Sequence, residues 1–422
     1  MMKQYLEIKE QNKDAILFFR LGDFYEMFNE DALLASQELD LTLTTRDRSR
    51  PEEERTPMCG VPYHSCDGYI ARLIAKGYKV AICEQTEDPA AAKGLVKRDI
   101  IRVVTPGTVD SSMLEGSQSN YICAVYMDGE NAGLCFCDIT TGKTHATAFS
   151  GPDRLVHVCN ELGRFSPAEA VLNDGAFGRK ELLELLREKL GCRAENYGER
   201  RFALESAARQ VEKQYGAEAA ARLPRSNPAA MMALGGLLRY LYETQKTDLS
   251  HIRELEYYEQ GRFMELDLSA RRNLELTATM RENKKHGSLL WVLDRTRTAM
   301  GGRMLRAWLE RPLLSVAAIN RRLSAVDALV KDSINREELV LALAGINDME
   351  RLIGRVVYGS AGGRDLASLR ASMAKLPDLK DKLAPFAAGR LGELYRDLDL
   401  LEDVYQLLCE AIVDEPPFSV RE

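Results

Sequence analysis

Near residue 262 the periodicity of the sequence changes, and one uniform architecture does not accommodate both sides of the change. Beyond it, almost no strand signal occurs up to residue 413. Apolar residues recur every three or four positions, as in Leu313, Val316, Ile319 and Leu323, with breaks at Gly301-Gly302, Pro312, Gly362-Gly363 and Pro377. That spacing predicts a helical bundle. Ahead of the change, short strand-like runs interleave with helix-like ones, which predicts mixed α/β units. The expected fold class is therefore multidomain α/β plus all-α.

The α/β half divides again. The run PGTVDSSMLEGSQS at 106–119 is rich in Pro, Gly and Ser and reads as a linker over 106–117. Upstream, YLEIKEQNK suggests a helix and AILFFRL a strand broken at Gly22. Residues 28–39 look helical, and LTLTTR alternates with period two. Asp67 is placed to cap a helix that Gly77 ends. YKVAICEQ and DIIRVVT read as buried strands. Downstream, NYICAVYMD, AGLCFCDIT and KTHATAFS suggest an antiparallel meander with turns at Asp128-Gly129 and Thr141-Gly142. LVHVCNEL, AEAVLN and KELLELLREKL follow, then a longer helix near 228–245.

Charge and composition narrow the function classes. No run of about 18 apolar residues exists, so no transmembrane helix is expected. The segment MMKQYLEIKEQNKD lacks an apolar core, so no secretory signal is read there and a cytoplasmic location is the expectation. Cysteines sit mostly in apolar runs, such as Cys83 and Cys123, and read as reduced thiols. The net charge of −7 argues against a wholly basic nucleic-acid binder, and residues 1–105 hold fifteen Lys+Arg against eighteen Asp+Glu. Local basic groups still suffice to hold DNA, because phosphate contacts act within a Debye length of about 8–10 Å.

Candidate chemistry is sparse. No G-x-x-x-x-G-K-[ST] occurs, no G-x-G-x-x-G follows a strand, and neither C-x-x-C nor H-E-x-x-H is present. Cys59, His64, Cys66 and Cys83 are metal-ligand types at a spacing that matches no common zinc module. Asp138, with Asp128, Glu130 and Asp174, is the material a two-metal nuclease would need, though three of these acids fall in turns. Residues 265–322 hold twelve Lys+Arg against six Asp+Glu, among them Arg271, Arg272, Lys284, Lys285, Arg295, Arg297, Arg303 and Arg306. They form either a phosphate-facing surface or the solvated face of a bundle. In GDFYEMF, Phe24, Tyr25 and Phe28 crowd past a glycine turn. If the segment is extended, Phe24 and Glu26 share a face and present a ring beside a carboxylate. Spacing alone favours all three aromatics being core.

These segments resemble, in order, the MutS family of DNA mismatch-recognition proteins: GDFYEMF, TPMCGVPYH, GYKVAICEQTEDP, RVVTPGT, DITTG, MELDLSARRNLEL and GGRMLRAWLERPL. The resemblance implies a mismatch-binding domain over 1–105 and a ribonuclease-H-like connector over 118–250. It implies a helical core/lever domain over 262–422, truncated before clamp and ATPase, and DEPPFSVRE reads as a cut inside a longer protein. It implies that Phe24 inserts from the minor groove and stacks on a mispaired base while Glu26 hydrogen-bonds that base. Arg102 aligns near a DNA-backbone contact, with a salt bridge to Asp99 or Glu84 as the alternative. The implied partners are mismatched double-stranded DNA, a MutL-type protein through the connector, and a second copy in the full-length dimer. No cofactor is implied for this chain, and no enzymatic activity; ATP and Mg belong to the full-length protein. A protein-interaction scaffold, and a metal-dependent nuclease on the second α/β block, are the competing readings.

Overall fold

A computed structural model of the chain describes residues 1–46, 51, 55–87, 96–259, 261–386 and 388–417. Two motif-bearing stretches fall partly outside them: Asp88-Pro89 of GYKVAICEQTEDP, and the end of the tail from residue 418. Contacts divide the chain into two units. The first comprises 1–114, 120–139 and 167–249; the second comprises 115–119, 140–166 and 250–422. Among the described residues no helix is long and apolar enough to cross a membrane.

The first unit opens with helix α1 (Met2–Gln11) and strands β1 (Ala15–Leu21) and β2 (Phe24–Phe28). Helix α2 (Asn29–Leu39), β3 (Met58–Pro62), α3 (Cys66–Ala75), β4 (Lys79–Gln85) and β5 (Arg98–Val104) follow. The strands form one sheet in the order β3-β2-β1-β4-β5. Only the β1–β4 pairing in it is parallel. AILFFRL is continuously apolar because both faces of β1 are covered. Ile16 and Phe18 enter a core with Met27, Val61, Ile70 and Leu73. Leu17 and Phe19 enter a second core with Tyr5, Phe28 and Ala81.

Two local expectations change. LTLTTR is not a strand; Thr44 alone makes a bridge, exchanging backbone bonds with Met58 at 2.7 and 2.8 Å. The strand there is MCGVP, whose Gly and Pro mask its character and whose edge position tolerates them. Asp67 lies inside the first turn of α3, preceded by Ser65 at the cap position, and no side chain caps the helix.

The largest change concerns the linker. Thr105 and Thr108 are fully buried. The Glu169 carboxylate, also fully buried, accepts from the Gly107 N–H at 3.1 Å, the Tyr240 hydroxyl at 2.7 Å and the Thr105 hydroxyl. A Cβ on Gly107 would sit 2.7 Å from the Ile122 Cβ and 2.9 Å from that of Glu169. Glycine is needed there for close approach, so the start of the Pro/Gly/Ser run is a packed segment and not a spacer. Burial pushes the Glu169 pKa up, and the hydroxyl donors oppose that shift.

In the rest of this unit, Ile122–Met127 and Asn131–Asp138 form an antiparallel hairpin. Strand Glu169–Leu172 runs parallel to the first of these and to Arg193–Asn196. Helix Ala229–Gln245 matches the long helix expected near 228–245.

The second unit contains strands Lys143–Ser150 and Glu254–Tyr257, paired in parallel, and helix Arg154–Phe165. Helices then succeed one another from Leu268–Asn273 to Glu402–Ala411. Polar side chains open several of them; Ser288, Thr298, Asp332 and Asp348 each accept from a backbone N–H in the first turn.

The basic stretch does not form one solvated surface. Arg303 is buried, forks onto both oxygens of Asp348 at 2.6 and 2.7 Å, and reaches Glu350 at 2.7 Å and the Gly116 carbonyl at 2.8 Å. Lys285 pairs with Asp294 at 2.6 Å, and Arg271 donates to the Leu266 and Glu310 carbonyls. Arg303 and Arg271 are thus committed to partners within the protein, whereas Arg272, Lys284, Arg295 and Arg297 are exposed, as a solvated face would have them.

His145 gives this unit a pH response. Its Nδ1–H donates to Glu256 at 3.0 Å. Burial holds its pKa down to about 4, with the nearby Arg311 and Arg164 adding to the effect and Glu256 opposing it. As pH falls below about 6.5, the unfolded chain gains a proton that the folded chain refuses until about pH 4. Stability should therefore drop across that window, by on the order of 2 kcal/mol at pH 5. The depressed Glu256 acts lower, between 4.5 and about 2. Urea unfolding at about pH 7 and pH 5 measures the loss, and His145→Gln should flatten it. An equally steep pH dependence in that variant would remove His145 as its source.

Candidate nucleic-acid interface

The candidate site is built on the β1–β2 hairpin. Leu21 pairs with Phe24, leaving the two-residue turn Gly22-Asp23. Gly22 has φ +60 and Asp23 does not share a positive φ, the pattern of a type II′ turn, which matches strand twist. The turn thereby fixes which residues of β2 share a face.

Alternation then separates the aromatics. Tyr25 is 5% exposed and belongs to one core, and Phe28 is 2% exposed and belongs to the other. Phe28 packs edge-on to Tyr5 with ring centroids 5.0 Å apart. Phe24 shares a face with Phe28 yet is 47% exposed, because it begins the strand at the turn, beyond the cover of α1. Two of the three aromatics are core, and the third is presented outward.

Glu26 lies between Phe24 and Phe28 on that face and is 8% exposed. Its Oε1 is paired with Arg46, whereas Oε2 is buried with no hydrogen-bond partner. Across the sheet stands Gly60, where a Cβ would come within 3.4 Å of the Glu26 Cγ. A carboxylate with one committed and one uncommitted oxygen is thus held beside an exposed ring. Sequence reasoning missed Arg46. It is 20 positions from Glu26 in a run carrying several other arginines, and nothing in its spacing singles it out.

Arg102 is drawn elsewhere. From β5 its Nη2 donates to the Thr108 carbonyl at 2.6 Å and its Nε to Gln245 at 3.1 Å, with Asp110 at 4.0 Å. These differ from the Asp99 and Glu84 partners considered from sequence. The guanidinium ties β5 to the buried 105–110 segment and to the end of helix Ala229–Gln245.

The metal and nuclease constellations do not assemble. Cys59 and Cys83 lie in cores on opposite faces of the sheet, and burial pushes the Cys83 thiol up to about 12. Asp128 folds back onto the Glu130 and Asn131 amides at 2.8 and 2.7 Å. The strand Asn131–Asp138 separates it from Asp138 by roughly 24 Å. Asp138 is buried and accepts from the Asn120 N–H at 3.2 Å, and Asp174 accepts from Asn196. Among the described residues no three His, Cys, Asp or Glu stand close enough to hold a metal ion.

Comparison with known proteins follows the same order. Residues 1–113 match MutS domain I, 120–253 match MutS domain II and 269–422 match MutS domain III. The chain belongs to the MutS family. It is 47% identical, over its whole length, to the DNA mismatch repair protein MutS of Ruminiclostridium cellulolyticum and to that of Acetivibrio thermocellus. The MutS of Pelotomaculum thermopropionicum is 46% identical over the whole chain. The chain spans about half the length of the MutS relatives it matches, 48% of the first two and 49% of the third. The exposed ring and its carboxylate lie in the part matching MutS domain I, and the helical succession lies in the part matching MutS domain III.

Proposed function

We propose that this chain recognises mispaired double-stranded DNA, with Phe24 as a wedge stacked on the mispaired base and Glu26 as the polar group that reads it. The observation that carries this reading is a large aromatic ring held outward at a hairpin turn, beside a carboxylate on the same face, while its aromatic neighbours are core. Wedging a ring between base steps costs a few kcal/mol of unstacking and kinks the duplex. A mispair has already lost part of its pairing and stacking, so deformation is cheaper there. Stacking accepts any base, because every base has a π-face.

Glu26 supplies discrimination by charge. Beside DNA phosphates its charge repels the duplex, and its uncommitted oxygen is placed to hydrogen-bond a base. Arg46 offsets part of that charge. Arg102 is left out of direct DNA contact in this reading and positions the 105–110 segment instead. A MutL-type partner at the domain II surface, dimer formation, and ATP with magnesium are proposed for the full-length protein. Residues 1–422 contain no phosphate-binding loop motif, so no step here is routed through nucleotide.

Glu26→Gln keeps a side-chain hydrogen-bonding group of the same shape and removes the charge. In the full-length protein its affinity for perfectly paired duplex should rise by on the order of tenfold, about 1.4 kcal/mol, narrowing the gap between mispaired and paired DNA. Titration of both duplexes at one fixed salt concentration measures this. An unchanged gap would remove Glu26 from the reading.

A further inference from the structure

A ring that separates stacked bases must be held against the reaction force, and the face of the hairpin opposite Phe24 shows what holds it. Arg20, on β1, is the register partner of Tyr25. Its Nε donates to the Gly22 carbonyl at 2.5 Å, and its Nη1 lies 3.3 Å from Glu84 Oε1 on β4. The guanidinium also stacks 3.5 Å from the centroid of the Tyr63 ring. The Tyr25 hydroxyl donates to the same Glu84 oxygen. The Tyr63 N–H donates to the Asp23 carbonyl at 3.0 Å. Both residues of the turn before Phe24 are therefore pinned by their carbonyls, one by Arg20 and one by the residue on which Arg20 stacks. Burial and the bond to Glu84 push the Tyr25 hydroxyl well above its usual range, which keeps it a donor.

We propose that Arg20, with Glu84, Tyr25 and Tyr63, is the mount that fixes the angle of Phe24, making Arg20 a positioning residue for mismatch discrimination. The proposal rests on the reading of Phe24 as the wedge. A planar fork satisfies this geometry and an ammonium does not. Arginine reaches the turn carbonyl and the carboxylate in different directions while presenting a flat face to the Tyr63 ring. The network lies behind the wedge, with the Arg20 side chain only 11% exposed, so it acts through backbone placement and not by touching DNA. A loosened turn lets the ring tilt away, and the unstacking then falls back on the duplex.

The test uses full-length protein and compares Arg20→Lys, Arg20→Met, Tyr25→Phe and Phe24→Ala. Readouts are affinity for mispaired and paired duplexes, the kink measured by energy transfer between dyes at the duplex ends, and thermal unfolding. For folded Arg20 variants, affinity for mispaired duplex should fall at least about tenfold more than affinity for paired duplex. The kinked population should shrink, and the salt slope of binding should stay as in the parent, since no phosphate contact is lost. Tyr25→Phe should move the same readouts less, and it serves if the Arg20 variants do not fold. Equal losses on both duplexes with a lowered Tm, or a reduced salt slope, would overturn the mount. An unchanged ratio in folded Arg20→Met and Tyr25→Phe, with Phe24→Ala losing discrimination, overturns the mount and leaves the wedge standing. An unchanged ratio in Phe24→Ala overturns both.

Discussion

Replacing Phe24 with alanine should collapse the preference for mispaired duplex and leave the fold intact. The ring is 47% exposed, so its removal opens no cavity, and the unfolding midpoint should move within the range of a surface substitution, about ±0.5 kcal/mol. The binding loss is larger. Stacking of an aromatic ring on a base is worth about 1–3 kcal/mol, which corresponds to roughly 5- to 150-fold in affinity for the mispaired site. Paired duplex, held through its phosphates, should bind nearly as before. Heteroduplex and homoduplex titrations at matched salt, with the parent alongside, give the ratio. If Phe24→Ala keeps the parent's ratio, mismatch recognition must reside elsewhere in the protein. A Phe24→Tyr variant should retain most of the preference, because the stacking face survives.

The second large effect is on stability. Arg303 carries a fork of bonds to Asp348, another to Glu350 and one to the Gly116 carbonyl. Burial works to lower its pKa, but the bonds to the two carboxylates outweigh that and push it above the ordinary range. Burying such a group is costly, and only the completeness of its pairing offsets that cost. Arg303→Met fills the volume but leaves Asp348 facing only Arg351 at 3.9 Å and Glu350 held only by Lys143, and breaking a buried pair from one side costs up to about 3–5 kcal/mol. Asp348 also caps helix Met349–Val357, so its repulsion from Glu350 should loosen that helix start. Urea unfolding monitored in the second unit should show the midpoint falling sharply, and Arg303→Lys should recover part of the loss. A shift under about 1 kcal/mol for Arg303→Met would mean that the cluster is solvent-relaxed and contributes little. Adding Asp348→Asn to Arg303→Met should be less damaging than the sum of the two changes, since each alone removes the same fork of bonds.

What the sequence disclosed depended on whether a signal was local. The break before Phe24 was legible because Gly22 marks it, but the pairing of its two arms and their register came only with the structure. From register, the shared face of Phe24 and Glu26 follows. The helical region was legible because its apolar spacing repeats for more than a hundred residues. MCGVP was not, since a Gly and a Pro at a sheet edge look like a loop until a partner strand is present. LTLTTR had the right alternation with no partner beyond Met58. Arg46 and the partners of Arg102 were hidden for the same reason: which carboxylate or carbonyl a long cation reaches depends on tertiary placement. Within the basic stretch one residue departed from the rest. Charge counts do not reveal that Arg303 faces inward, where its value is structural.

The buried carboxylate of Glu169 bears on how the polypeptide can be divided. Two of its donors, Thr105 and Gly107, stand on one side of any scission between 108 and 110, while Glu169 and Tyr240 stand on the other. Separating them leaves one fragment with an ionisable group sealed in an oily interior and the other with a raw edge of unanswered amide and hydroxyl. Pieces cut at the stretch that most resembles a hinge should therefore be the ones that precipitate.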